Sequence, residues 1–101
     1  MKRNPISNIM PTYGQRDLEF IKGRGCYLTS VNKTKYLDFG SGIAVNSLGH
    51  CHPRLVKALK TQSSKLWHTS NLYYNSQQEE YAKILCANSF ADNVFFTNNS
   101  T

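Results

Sequence analysis

Apolar and polar residues alternate in three short runs near the start of the chain: Leu18-Glu19-Phe20-Ile21-Lys22, Cys26-Tyr27-Leu28-Thr29-Ser30-Val31 and Lys35-Tyr36-Leu37-Asp38-Phe39. Such runs predict strands, and the intervening Gly23-Arg24-Gly25 and Asn32-Lys33-Thr34 are turn formers. The expectation is a small antiparallel meander. The pattern then changes to helical spacing. Val56, Leu59 and Leu66, with Leu55 and Gln62 alongside, form the apolar stripe of a helix opened by His52-Pro53, and Arg54, Lys57, Lys60 and Lys65 take the rest. Ser76-Gln77-Gln78-Glu79 has capping-box spacing and opens a second helix with Tyr81, Ile84, Leu85 and Asn88 on one stripe. Val94-Phe95-Phe96 reads as a buried-type strand.

The connections differ in character. Residues 1–16, rich in Asn, Ser, Pro and Gly, predict an irregular arm. The stretch from Asp38 to Pro53 joins strand to helix and holds Gly40, Gly42 and Gly49, which permit positive φ or close backbone approach. Trp67 to Asn75 is too aromatic for a flexible linker and predicts a packed loop. After Val94-Phe95-Phe96 come helix-opening residues, Thr97-Asn98-Asn99-Ser100-Thr101. A strand, a polar turn and a helix start in that order make a common phosphate-binding device, because free N–H groups and the positive end of the helix dipole converge there. No helix follows, so the chain is expected to be a fragment of a longer protein.

Composition narrows the class. With 101 residues, 40% of them apolar and 18% charged, the chain suits a small globular domain, and no apolar run approaches the roughly 20 residues of a membrane-spanning helix. The basic N-terminus lacks the apolar stretch of a signal peptide. Cys26, Cys51 and Cys86 are odd in number and widely spaced, the usage of a reducing compartment, so a cytoplasmic location is expected. The net charge of +6 suits nucleic acid, an anionic membrane or a phosphorylated small molecule, but the cations are scattered without a run of five.

Several groups of residues invite chemical readings. His50-Cys51-His52 carries zinc-type donors, yet four ligands are needed and neither Cys26, Cys86 nor His68 sits in a ligand-like pair. The simpler expectation is that Gly49 turns the chain, His52 caps the helix and Cys51 is a small buried filler. Trp67, His68, Tyr73 and Tyr74 are a stacking set for bases, which leaves a small basic nucleic-acid-binding module as a rival; packing at an interface is the alternative. Ser41, Ser47 and Ser70 lack a nucleophile elbow, and the acidic residues form no acid and base pair.

The blocks Met10-Pro11-Thr12-Tyr13-Gly14, Gly23-Arg24-Gly25, Tyr36-Leu37-Asp38-Phe39, Ser41 through Pro53, Leu66 through Tyr73 and Val94 through Asn98, in this order, resemble the class III pyridoxal-phosphate aminotransferases of fold type I. The resemblance implies an α/β fold, α+β within this stretch. An arm, a meander, a helix and an interface loop over 1–75 would precede the first elements of the cofactor-binding large domain over 76–101. It also implies pyridoxal 5'-phosphate as cofactor and a homodimer as the working form. The implied reaction moves the δ-amino group of N-acetylornithine to 2-oxoglutarate, with ornithine, succinylornithine or 4-aminobutyrate as rival donors. No nucleic acid, membrane or metal enters it. The lysine that holds the cofactor lies later in such proteins, so no catalytic residue is expected in this chain.

By the same resemblance, the family's Asn-Ser-Gly-Thr phosphate turn falls on Asn98-Asn99-Ser100-Thr101. Asn99 stands for the serine and Ser100 for the glycine, placing a Cβ where the backbone should approach the phosphate. Tyr13 matches an aromatic position near the substrate entrance, and Gly42 and Ile43 match a segment on the substrate side. Asn71 matches a dimer-interface loop close to the partner's phosphate site. For Tyr13, Ile43 and Asn71 ordinary interface packing is the alternative.

Overall fold

The computed structural model describes residues 8–14 and 16–98, which form two compact units divided between Ser64 and Lys65. In the first, β1 (Phe20–Arg24), β2 (Tyr27–Ser30) and β3 (Lys35–Leu37) make an antiparallel sheet in the order β1-β2-β3. The meander is as expected, but β1 is displaced along the chain. Gly23 and Arg24 are strand residues, opposite Leu28 and Tyr27, and the turn is confined to Gly25 and Cys26. Gly25 has φ +58°, at the position where type II′ hairpin turns take glycine. The register shifts between Phe20 and Lys22, and the Phe20 ring lies edge-on to Tyr36 at 5.5 Å.

The turn from β2 to β3 closes on Ser30, 1% exposed and the one buried residue among those described. Its amide donates to the Thr34 carbonyl at 2.9 Å, its carbonyl accepts from Lys33 at 2.9 Å, and its hydroxyl accepts from Thr34 at 3.3 Å. A single turn, α1 (Ser41–Ala44), follows the sheet, and α2 (Pro53–Ser63) begins with proline at its first position. The His52 ring accepts the Arg54 N–H at 3.2 Å, so the expected cap is present, whereas Cys51, expected to be buried, is exposed. Leu66, assigned above to the helical stripe, lies beyond the end of α2. Ile21, Pro53 and half-buried Val56 line one concavity, whereas Leu55 and Leu59 remain exposed.

The second unit holds α3 (Ser76–Ala87). Its cap is Asn75, not Ser76 as the capping-box reading had it. Asn75 is extended (φ −128°, ψ 108°), its side-chain oxygen accepts the Gln78 N–H at 3.0 Å, and its carbonyl accepts from Glu79 at 3.1 Å. Ser76 is already helical. At the other end the Asn88 side chain donates to the Ile84 carbonyl at 2.8 Å. Tyr81 stacks on Phe96 at 5.6 Å.

Two further expectations are corrected. Val94-Phe95-Phe96 forms no strand, because its unit contains no other strand among the described residues to share a ladder. The loop from Trp67 to Tyr74 is not packed: Trp67, Leu72, Tyr73 and Tyr74 are exposed, since nothing within the described unit covers them. Of the arm, residues 1–7 and 15 lie outside the described residues, and 8–14 hold no regular element.

The cap correction is testable. Asn75→Ala should lower the stability of α3 by about 1 kcal/mol, read by amide hydrogen exchange, whereas Ser76→Ala should change it by a few tenths at most.

Candidate functional site

The loop from Asp38 to Pro53 is held shut by its own ends. Asp38 follows β3 and its Oδ1 accepts two backbone bonds, from Gly40 at 2.8 Å and Ser41 at 3.0 Å. Its Oδ2 accepts from His50 Nε2 at 2.6 Å, in a contact that leaves the two side chains only 14% and 17% exposed. The His50 bond, then the Ser41 N–H, hold the Asp38 carboxyl below its ordinary value of 3.8; partial burial opposes them, and the Gly40 N–H and the charge of His50 add to the lowering.

His50 is in turn fixed to the sheet. Its N–H donates to the Gly25 carbonyl at 2.8 Å, and the Gly25 N–H donates to the His50 carbonyl at 3.0 Å. Two glycines make this approach possible. A Cβ on Gly23 would stand 2.8 Å from Cβ and Cγ of His50, and a Cβ on Gly49, which has φ +84°, would stand 3.0 Å from the Gly25 carbonyl oxygen.

Inside this clasp the backbone runs left-handed. Ser41, Gly42, Ile43 and Ala44 have φ of 51°, 62°, 58° and 64°. For a non-glycine residue that conformation costs about 1–2 kcal/mol. Bonds from Ile43 to the Gly40 carbonyl at 2.8 Å, from Asn46 to the Ser41 carbonyl at 2.9 Å and from the Ser47 hydroxyl to the Ala44 carbonyl at 2.8 Å offset part of it. The result is a strained turn that presents Ile43, 96% exposed, outside the sheet. Strain of this kind persists only where its surroundings impose it, and it is common at ligand-facing sites.

Of the residues singled out above, Gly42 and Ile43 are neighbours in this turn. Tyr13 is exposed in an irregular segment, and Asn71 belongs to the second unit, where it lines a groove of about 530 Å³ with Tyr74, Gln78, Glu79 and Phe96. Asn99, Ser100 and Thr101 lie outside the described residues. No three His, Cys, Asp or Glu side chains converge among the described residues. The Asp38–His50 pair was missed, although its signal was present: Asp38-Phe39-Gly40-Ser41 just after a strand, and Gly49-His50 where the loop closes.

The model of the aminotransferase class-III family matches residues 10–101. The chain belongs to this family. It is 50% identical to acetylornithine aminotransferase 1 of Bradyrhizobium diazoefficiens over 97% of its length, and 55% identical to acetylornithine aminotransferase 2 of Caulobacter vibrioides over 93%. It spans 24% and 23% of those proteins, about a quarter of their length. Among solved structures it is similar to the acetylornithine aminotransferase of Elizabethkingia anophelis (TM-score 0.78, 32% identity, 85% of this chain and 22% of that one). It is also similar to the ornithine aminotransferase of Toxoplasma gondii (TM-score 0.79, 27% identity, 85% and 20%). In this class-III chain, therefore, the left-handed turn and its clasp lie within the matched region.

Two outcomes follow from the clasp. A depressed carboxyl pKa adds stability that is fully present above the ordinary value of 3.8 and is lost as pH falls through the lowered value. Asp38→Asn should therefore be less stable than wild type near neutrality, with the gap closing as unfolding is measured from about pH 5 down to about pH 2. Gly49→Ala should cost about 1–3 kcal/mol in denaturant unfolding, through strain at positive φ and the clash with the Gly25 carbonyl.

Proposed function

We propose that the chain is the N-terminal part of a pyridoxal-phosphate-dependent aminotransferase that moves the δ-amino group of N-acetylornithine to 2-oxoglutarate, a step of arginine biosynthesis. The observation that carries this reading is 50–55% identity, over nearly the whole chain, to proteins named acetylornithine aminotransferase. The bound cofactor would supply the electron sink for the transfer. Asn99, Ser100 and Thr101 offer an amide and two hydroxyls, a donor set that fits a phosphate. Ser100 keeps the backbone N–H of the family glycine and adds a hydroxyl donor.

The remaining roles are positional. The clasp of Asp38 and His50 holds the turn that carries Gly42 and Ile43, and we assign that turn to the substrate side of the site, with Tyr13 at its entrance. The exposed loop around Asn71 is assigned to a homodimer interface, which suits its uncovered aromatic rings. We assign 1–75 to the smaller N-terminal part and 76–101 to the start of the cofactor domain, in a cytoplasmic enzyme.

The test is a substrate panel on the enzyme encoded by the complete reading frame. N-acetylornithine should give the highest kcat/KM, and preference for ornithine, succinylornithine or 4-aminobutyrate would overturn the donor assignment. The 101-residue chain, supplied with pyridoxal phosphate, should show no turnover. Measurable turnover would contradict its placement before the segment that bears the cofactor lysine.

A further inference from the structure

One face of the sheet is basic and has no part in the site described above. Strand alternation and register put Lys22, Arg24, Tyr27, Thr29 and Lys35 on it together: Lys22 and Lys35 lie opposite Thr29 from its two sides, and Arg24 lies opposite Tyr27. These five residues line a single concavity of about 270 Å³ that contains no acidic side chain. Among the described residues none of the three cations has an acidic partner; the ion pairs are His50 with Asp38 and Lys83 with Glu79.

Lys22 and Lys35 are separated by two strand spacings, about 10 Å between Cα atoms. Two lysine stems reach across that span to one anion above Thr29, whose hydroxyl is a further donor, and the Arg24 fork and Tyr27 hydroxyl extend the donor row along the strands. Three cations gathered on one face without a counter-charge repel one another, and a bound polyanion relieves that repulsion. A single phosphate would satisfy the central row alone, whereas a diphosphate meets both rows. We propose that this face of the sheet binds the diphosphate or triphosphate group of a small molecule.

Inorganic pyrophosphate is the probe, titrated into the isotopically labelled chain by NMR, with affinities measured by calorimetry. Amide shifts at Lys22, Arg24, Tyr27, Thr29 and Lys35 should saturate together. Lys22→Gln, Arg24→Gln and Lys35→Gln should each weaken binding by about two- to five-fold, while Lys65→Gln, with the same change of charge outside the first unit, should not. The shift map needs no variant, so the proposal is tested even if a substitution disturbs folding. A nucleoside diphosphate that binds more tightly than pyrophosphate, with the gain lost in Tyr27→Leu, identifies a nucleotide. Equal affinity identifies the phosphates alone. Shifts spread over all the cations, equal weakening in Lys65→Gln, or binding of a single-stranded oligonucleotide without binding of pyrophosphate would overturn the proposal.

Discussion

Both oxygens of the Asp38 carboxylate are engaged, and the first unit depends on that. One oxygen gathers the two N–H groups that begin the left-handed turn, and the other holds the imidazole that ends the loop. The carboxylate thus ties three points of the chain to one rigid group at the end of β3. Without it, the backbone of Ser41, Ile43 and Ala44 would relax toward negative φ, the conformation that L-residues prefer. The glycines act on the same constraint from the other side. Gly23 and Gly49 leave space that allows His50 to lie on the hairpin instead of above it.

Local polar ties organise this chain more than burial does. No apolar side chain is buried among the described residues, although full burial of a Leu, Ile or Phe is worth about 1.5–3 kcal/mol. Hydrogen-bonded devices define its geometry instead: the Ser30 turn, the His52 and Asn75 caps, and the clasp. Exposed Ile43, Trp67, Leu72, Tyr73 and Phe95 belong to the same picture, in a chain that spans about a quarter of the length of its relatives. A strained loop gripped by polar bonds keeps its form where packing is sparse.

What was legible in the sequence was local. The alternating runs and turn formers made the meander readable, and His52-Pro53 marked the start of α2. The hairpin turn was drawn too wide because Gly23 resembles a turn residue, whereas its role is to make room for His50, a partner far along the chain. The cap of α3 was misplaced because Asn75 with Gln78 and Ser76 with Glu79 share one spacing, and only the extended backbone of Asn75 distinguishes them. The left-handed turn was illegible for a deeper reason: Ser41, Ile43 and Ala44 adopt it against their own preference, so no propensity points there. Of the candidate residues, Gly42 and Ile43 came from resemblance, whereas Asp38 and His50 left local turn signals in the sequence and their pairing across the loop was seen only in the geometry.

The central claim is that the Asp38 carboxylate imposes the left-handed turn. It is tested most directly by NMR couplings and intraresidue contacts that report the sign of φ at Ser41, Ile43 and Ala44, compared between the wild-type and Asp38→Ala chains. The account predicts positive φ at all three in wild type and its loss in the variant, with the pairing of β1, β2 and β3 intact. Positive φ retained in Asp38→Ala would contradict it, and would mean that the turn is set by its own residues.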